Sequence, residues 1–132
     1  VFIPRSVNTI GESAFLSCSS LDSIVVSSEN EDYANDENGA LYDKNMTVLI
    51  QFPAGHNMTS FTVPDTVTEI HSYAFAAAAP DYLASVKMGD NVVSIGEGAF
   101  MGCLSLTSVE LSNSLTKLSP SMFWGCHPQP IC

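Results

Sequence analysis

The amino-acid sequence predicts a right-handed solenoid of about five turns, each about 23 residues long. Residues 1–23 and 86–108 are identical at 11 of 23 aligned positions, whereas average residue usage gives about one or two matches. A short run with alternating apolar residues begins each unit, and an Ala-Phe pair follows in most of them. Such a unit cannot bury its apolar face alone, so we expect the copies to stack.

Composition fits one folded domain and disfavours several classes of partner. The chain has 132 residues, of which 45% are hydrophobic, and this is enough for a contiguous core. Fourteen acidic residues against four basic ones give a formal charge of −10. Nucleic acids and anionic membrane surfaces attract clustered Lys and Arg, so we expect neither as a partner. Direct membrane insertion is also not expected, because the apolar run Ala74–Ala79 is far shorter than the ~20 residues that span a bilayer.

We divide the chain into five units that form a single domain. The second unit carries an insertion of 14 residues, and the last unit is divergent and is expected to end in a cap. Because the chain starts inside a unit, we expect it to be a piece of a longer protein. The units are residues 1–23, 24–60, 61–85, 86–108 and 109–132.

Each unit begins with three residues in which buried apolar positions flank a variable one. This period of two predicts a strand with one buried face, and equivalent strands of successive turns must pair in parallel. We therefore expect one parallel sheet of five strands on one face of the solenoid. The predicted strands are Val1–Ile3, Ile24–Val26, Phe61–Val63, Val86–Met88 and Val109–Leu111.

The rest of each unit is expected to form the opposite wall from short strands, turns and short helical segments. A second apolar pair follows the strand in four of the five units, and an Ala-Phe pair comes after it in three of these. We predict that the Ala lets neighbouring turns approach while the Phe rings form an interior ladder. The apolar pairs are Val7/Ile10, Val67/Ile70, Val92/Ile95 and Leu115/Leu118, and the Ala-Phe pairs are Ala14-Phe15, Ala74-Phe75 and Ala99-Phe100.

The insertion in the second unit predicts a β-hairpin. Asn38-Gly39 is a strong turn signal. After it, the apolar runs Ala40–Tyr42 and Val48–Ile50 flank the polar residues Asp43–Asn45. Pro53–Gly55 then breaks the chain and returns it to the repeat.

One motif recurs through nearly the whole chain. It runs Ile3-Pro4, Val7, Ile10-Gly11, Ala14-Phe15, Cys18 and Leu21, and again Val63-Pro64, Val67, Ile70 and Ala74-Phe75. The motif resembles the BspA-like class of leucine-rich repeats, and the insertion, from Tyr33 through Asn38-Gly39 to Leu49–Gly55, resembles that family's insertion. The resemblance implies a leucine-rich repeat solenoid in a secreted or cell-surface protein. It also implies adhesion to host matrix or plasma proteins, or to other cells.

The cysteines invite a metal or a disulfide interpretation. Cys18, Cys103 and Cys126 occupy one repeat position, so we expect them to stack as buried free thiols inside the solenoid. CxxC spacing is absent, and a zinc site needs ligands that converge rather than line up. A disulfide between Cys126 and Cys132 across a short loop is the alternative at the C-terminal end.

The insertion is rich in acidic residues, with six carboxylates within 15 positions. Asn38-Gly39 mimics the turn of a calcium loop, but Ala34 and Asn45 occupy the first and twelfth positions, where oxygen ligands are needed. We expect a solvated loop, with a weak cation site as the alternative. The carboxylates belong to Glu29, Glu31, Asp32, Asp36, Glu37 and Asp43.

Catalytic motifs are not recognisable. His56, His71 and His127 lie in different repeat contexts, and none belongs to an HExxH motif or a triad pattern. The segment Gly96–Gly98 lacks the third glycine of a dinucleotide-binding loop. We therefore predict that the protein is not an enzyme and uses no cofactor and no metal.

The outward positions of the predicted sheet are the best candidates for function. Side chains that flank the buried strand positions point away from the core and form two ladders. The serine ladder suits a crowded, curved sheet, whereas the second ladder varies as a recognition surface does. The ladders are Ser23, Ser60, Ser85 and Ser108, and Phe2, Val25, Thr62, Lys87 and Glu110.

Two functions are compatible with these patterns. The first is a recognition module of a secreted or cell-surface protein that binds a protein ligand through the sheet face. The second is a rigid spacer that presents another domain and binds nothing itself. Asn45 and Asn57 begin Asn-x-Thr patterns, which act as N-glycosylation sites only in a secreted eukaryotic protein.

Overall fold

The computed structural model describes residues 1–78 and 82–126. These residues form ten short strands joined by turns, and the strands line two faces of a solenoid of about five turns, as the repeat pattern predicts. The strands are β1 Phe2–Ile3, β2 Val25–Val26, β3 Tyr33–Asn35, β4 Leu41–Asp43, β5 Val48–Gln51, β6 Ser60–Thr62, β7 Glu69–Ile70, β8 Ser85–Lys87, β9 Ser94–Ile95 and β10 Ser108–Glu110.

The face that begins each unit carries two parallel sheets instead of the single five-stranded sheet predicted. Strands β1 and β2 pair with each other, and β6, β8 and β10 form a separate three-stranded sheet. The prediction of one continuous sheet is therefore wrong between β2 and β6. The insertion lies between β2 and β6 in the sequence, at the same place as this break.

The insertion causes the break because it takes the hydrogen bonds of β2. Elsewhere a strand donates to the next turn, as Val63 N does to Lys87 O at 2.9 Å. At β2, Ile24 N donates to Gly39 O at 2.9 Å, and Val26 N donates to the side-chain Oδ1 of Asn35 at 2.7 Å. The insertion thus supplies the acceptors that a following strand would supply.

The opposite wall is a five-stranded sheet in the order β3-β4-β5-β7-β9. Strands β4 and β5, at the predicted hairpin, pair antiparallel, and β3 adds to β4 in the same sense. Strands β5, β7 and β9 pair in parallel, with Leu49, Ile70 and Ile95 in register. The insertion therefore provides three strands of the wall, and β5 occupies the place of a repeat.

The aromatic ladder runs through Phe52, Phe75, Phe100 and Phe123. Successive ring centroids lie 5.3, 4.9 and 5.6 Å apart, with interplanar angles of 24°, 14° and 18°. The prediction that Phe15 belongs to this ladder is wrong, because Phe52 of the second unit takes that place and Phe15 packs in a separate cluster.

Strand β4 is covered on both of its faces and lies between two clusters of the core. Ala40, Leu41 and Tyr42 are all fully buried. Successive residues of a strand point to opposite sides, so Leu41 packs with Ile3, Ile24 and Val26 in the smaller cluster. Ala40 and Tyr42 pack in the larger cluster. The insertion is therefore part of the core.

Polar side chains fix the insertion in place. The buried Asn30 amide donates to the carbonyls of Pro4 and Val7, both at 2.9 Å, and its Oδ1 accepts from the N–H groups of Asp32 and Tyr33, both at 2.8 Å. The two bonds that the Asn30 amide donates reach the first unit, and the two that it accepts fix the local chain of the insertion, so this side chain joins the two segments.

Asp36 closes the turn that begins the predicted hairpin. Its Oδ1 accepts from the N–H groups of Asn38 and Ala40, and its Oδ2 accepts from the Tyr42 hydroxyl at 2.6 Å. Burial, and then the hydrogen bond to Asp36, raise the pKa of the Tyr42 hydroxyl well above its ordinary value. The hydroxyl therefore stays protonated and remains a donor.

The short helical segments predicted for the wall do not occur among residues 1–78 and 82–126. Turns stand in their place, with single residues in the left-handed region, where a right-handed helix cannot continue. The Ala-Phe segment of the third unit shows the pattern, with φ of 60° at Tyr73 and 54° at Ala77. Residues with positive φ in the equivalent segments include Ser13, Ser17, Gly98, Gly102 and Ser121.

The cysteine position is explained by hydrogen bonds between turns. Cys103 Sγ donates to Phe75 O at 2.9 Å, and Cys126 Sγ donates to Phe100 O at 3.1 Å. In the third unit Ala78 replaces the cysteine, and the Gln51 side-chain amide donates to Phe52 O at 2.8 Å instead.

The expectation that Cys18 is buried is wrong, because it is exposed. Among the described residues the Cys18 thiol donates no hydrogen bond to a carbonyl, unlike the thiols of Cys103 and Cys126. Several other positions of the first and last units are also more open than predicted. Val1 is 61% exposed and Leu118 is 55% exposed, although both were assigned to buried positions, and Ala14 is also exposed.

The aromatic ladder generates the first prediction. Replacing Phe100, which is fully buried between Phe75 and Phe123, with Ala should lower the free energy of unfolding by about 3–5 kcal/mol. Urea titration followed by circular dichroism measures this change. The control is Phe2→Ala, since Phe2 is 64% exposed and its loss should cost less than about 0.5 kcal/mol. A cost below about 1 kcal/mol for Phe100→Ala would contradict the ladder.

The contact between the insertion and the first unit generates the second prediction. Gly39 has a φ of 80°, and a Cβ there would lie 2.7 Å from Ser23 Cα. Gly39→Ala should therefore lower the free energy of unfolding by about 2–4 kcal/mol, from backbone strain and overpacking together. Gly89 is the matched control, because its φ is 74° but no atom lies closer than 3.8 Å to the added Cβ. Gly89→Ala should cost only about 1–2 kcal/mol, and equal costs would rule out the close approach.

Thiol accessibility generates the third prediction. In the native protein Cys18 should react readily with a thiol reagent, whereas Cys103 should react only after unfolding. The contact with the Cys126 thiol, and then burial, raise the pKa of Cys103 above its usual range, so the protonated, unreactive form persists at pH 8. Mass spectrometry of native and denatured protein after alkylation measures this order. Fast native labelling of Cys103 would contradict the stacked position.

Candidate functional site

The three-stranded sheet aligns the outward residues of the last three units. Thr62, Lys87 and Glu110 face one another across β6, β8 and β10, and Lys87 lies between the other two. All three are exposed. Ser60, Ser85 and Ser108 are aligned in the same way one row away.

The two-stranded sheet carries a different patch. Phe2 and Val25 are direct neighbours across β1 and β2 and are 64% and 47% exposed. Ser23 lies beside them and is half-buried. Because the sheets are separate, the predicted ladder consists of an apolar pair at one end and a polar trio at the other.

The acidic residues of the insertion do not converge. Asp36 is occupied by the turn described above, and Asp43 accepts hydrogen bonds from the N–H groups of Thr47 and Val48 and from the Thr47 hydroxyl. Within residues 1–78 and 82–126, no three His, Cys, Asp or Glu side chains come together as metal ligands. Both carboxylates therefore have structural roles in their turns.

The remaining candidates are dispersed. Asn45 and Asn57 are both exposed, whereas His56 and His71 are half-buried on different parts of the chain. Cys132 and His127 lie outside the described residues, as does the predicted cap, so the disulfide between Cys126 and Cys132 stays a prediction.

The wall contains a cleft that the sequence patterns do not predict. It lies between the Ala-Phe segment of the first unit and β5, and its volume is about 240 Å³. The Tyr33 hydroxyl, which accepts from Ile10 N at 2.9 Å, closes one end. Beyond the other end the chain returns to the first unit, where Gly55 N donates to Leu21 O at 2.7 Å. The only signal in the sequence is the extra length of the insertion, which separates the two segments.

Polar and apolar groups share the lining of this cleft. Phe15 and Ile50 contribute apolar surface, and Glu12, Asp43 and His71 contribute polar groups. Glu12 is exposed at the rim. None of the residues that line the cleft is Lys or Arg. The two carboxylates therefore give the cleft a negative charge.

Among the described residues no helix is long and apolar enough to span a membrane. A comparison with curated proteins gives no match.

Comparison with solved structures finds relatives of the same fold. A leucine-rich cell surface protein from Faecalibacterium prausnitzii A2-165 is 41% identical with a TM-score of 0.86, and the alignment covers 96% of this chain and 33% of that one. The pneumococcal vaccine antigen PcpA is 32% identical with a TM-score of 0.81, over 86% of this chain and 27% of that one.

A leucine-rich repeat protein from Eubacterium ventriosum ATCC 27560 is 27% identical with a TM-score of 0.72, and the alignment covers 95% of this chain and 39% of that one. The chain thus spans between about a quarter and two fifths of the length of these proteins.

A family model described as the BspA-type leucine-rich repeat region matches residues 1–49 and 50–129 in six copies. Its count exceeds our five units by one, and the boundary at residue 49 falls within β5, the strand of the insertion that takes the place of a repeat. The match extends over nearly the whole chain. The chain therefore belongs to the BspA-type leucine-rich repeat family.

Proposed function

We propose that this chain is a non-catalytic recognition module of a secreted or cell-surface protein, and that it binds a protein ligand through the sheet face. The observation that carries this proposal is the exposed pair Phe2 and Val25, which lie side by side on β1 and β2. Core stacking does not require apolar side chains at these outward positions. Exposed apolar side chains in contact with one another are typical of interaction surfaces.

The polar trio complements this pair. Thr62, Lys87 and Glu110 provide a donor, a cation and an anion in one row. A protein interface combines apolar and polar side chains, and this face offers the apolar pair at one end and the polar trio at the other. Relatives described as a cell surface protein and as a vaccine antigen support an extracellular or cell-surface location. Host matrix proteins, plasma proteins and surfaces of other cells are the partners we propose.

The second candidate function is a rigid spacer that presents another domain. The continuous aromatic ladder and the hydrogen bonds between turns favour a stiff rod. A spacer needs no particular residue at Val25 or Lys87, whereas a recognition module does. The two functions therefore differ in their response to substitutions on the sheet face.

Substitution of the apolar pair tests the proposal. Immobilised fibronectin, fibrinogen and laminin serve as probes, and surface plasmon resonance measures binding of the purified chain. Val25→Ser should weaken binding about 5- to 30-fold, because exposed apolar anchors contribute about 1–2 kcal/mol to an interface. Lys87→Glu should weaken it further and alter its salt dependence.

Val93→Ser is the matched control. Val93 is 54% exposed, close to the 47% of Val25, but it precedes β9 on the opposite wall. Its substitution should leave binding unchanged. Binding that survives Val25→Ser and Lys87→Glu, or the absence of binding to every probe, would contradict the recognition module and favour the spacer.

A further inference from the structure

Stacked turns satisfy the backbone donors of the Ala-Phe segment in a regular way. In the third unit the N–H groups of Tyr73, Phe75 and Ala77 donate to Glu97, Ala99 and Met101, carbonyls of the next turn, at 3.0, 2.8 and 2.7 Å. Every second N–H group thus points along the solenoid axis towards the following turn. The next turn completes these bonds.

The first unit has the same local conformation without the same partners. Ser13 has a φ of 59° and Tyr73 one of 60°. The turn bond from Leu16 N to Ser13 O, at 3.0 Å, matches that from Ala76 N to Tyr73 O, at 3.1 Å. The equivalent donors therefore point in the same direction, towards β5. Yet within the described part of the chain, the N–H groups of Ser13, Phe15 and Ser17 make no hydrogen bond.

The missing neighbour is the turn that the insertion displaces. In place of that neighbour lies the cleft of about 240 Å³, with Ser13 and Phe15 on one side and Ile50 on the other. A row of unpaired donors beside an apolar groove is the arrangement to which an extended peptide adds by main-chain hydrogen bonds. Glu12 and Asp43 give the cleft an acidic lining, and no Lys or Arg is among its lining residues.

We propose that this cleft binds an extended segment of a partner polypeptide that carries Lys or Arg. Its carbonyl groups accept from the N–H groups of Ser13 and Phe15, and an apolar side chain packs on Phe15 and Ile50. A basic side chain faces Glu12, which has no hydrogen bond or ion pair in the described part of the chain. The site lies on the wall opposite the sheet face, so it is independent of the proposed recognition surface.

Peptide titration followed by NMR of the amide groups tests the proposal. The probe is acetyl-Lys-Val-Lys-Val-amide, and acetyl-Glu-Val-Glu-Val-amide and inorganic phosphate are the comparison ligands. The basic peptide should shift the amide protons of Ser13 and Phe15 downfield and saturate near about 1 mM, the range of a short peptide. The amides of Tyr73 and Phe75, which are already bonded, should not move.

Charge reversal at two equivalent positions provides the matched control. Glu12 and Glu97 are both exposed and occupy the same repeat position, but only Glu12 lines the cleft. Glu12→Lys should weaken binding of the basic peptide at least about fivefold, whereas Glu97→Lys should have no effect. Val25→Ser on the sheet face should also have no effect, which separates this site from the proposed function.

Removal of a single backbone donor gives the decisive variant. The exposed Cys18 allows a synthetic segment of residues 1–17 to be ligated to the remainder of the chain. An ester in place of the amide at Phe15 removes the N–H group, which has no hydrogen-bond partner among the described residues, and also makes the Ala14 carbonyl a weaker acceptor. That carbonyl accepts no hydrogen bond among the described residues, so the loss of the donor should dominate and weaken peptide binding about tenfold. An ester at the exposed Asn8 is the control and should bind normally.

Three results would overturn the proposal. The first is that no ligand shifts the amides of Ser13 and Phe15. The second is that the acidic peptide or phosphate binds as tightly as the basic peptide, because the donors would then form an anion site. The third is that the ester at Phe15 leaves binding of the basic peptide unchanged.

Discussion

The structure depends on the hydrogen bonds that each turn donates to the next. Buried backbone N–H groups must find acceptors, and in a solenoid of short strands most of these acceptors belong to a neighbouring turn. Phe52 N, Phe75 N and Phe100 N donate to the carbonyls of Ala74, Ala99 and Met122 at 2.8, 2.8 and 3.0 Å. The same contacts set the spacing at which the phenyl rings stack, so backbone pairing and core packing reinforce each other.

The insertion is best understood as a substitute for a regular turn. On the strand face, Gly39 O and the Asn35 side chain supply the acceptors that β2 needs. In the core, Phe52 takes the Phe position, and Gln51 supplies the donor that a cysteine supplies elsewhere. On the wall of the first unit, in contrast, no acceptor among the described residues reaches the N–H groups of Ser13 and Phe15. The insertion therefore replaces a regular turn fully on the strand face but only in part on the opposite wall.

Sequence periodicity predicted the solenoid because the buried positions repeat with the turn. Met88, Val92, Phe100 and Cys103 are all buried, as their recurrence requires. Periodicity could not predict the break between β2 and β6, because that break depends on a non-repeating segment. Periodicity also assigned Phe15 to the aromatic ladder, because Ala14-Phe15 aligns with the other Ala-Phe pairs. In the structure Phe52, which has no Ala before it, takes that place in the ladder. Cys18 shows a related limit, because it shares a repeat position with the buried Cys103 and is nevertheless exposed.

The outward positions were predictable as positions but not as one surface. Alternation along the strands placed Thr62, Lys87 and Glu110 on the outside, whereas only the pairing of β strands decides which of them are neighbours.

The cleft was not predictable, since it follows from where the insertion returns to the first unit. Hydrogen bonds at Tyr33 and Gly55 hold the two segments apart at fixed points. Its walls are therefore set before any ligand arrives, and a preformed groove with oriented donors loses little conformational entropy on binding. The flat sheet face has no such constraint, so affinity there depends on the exposed side chains.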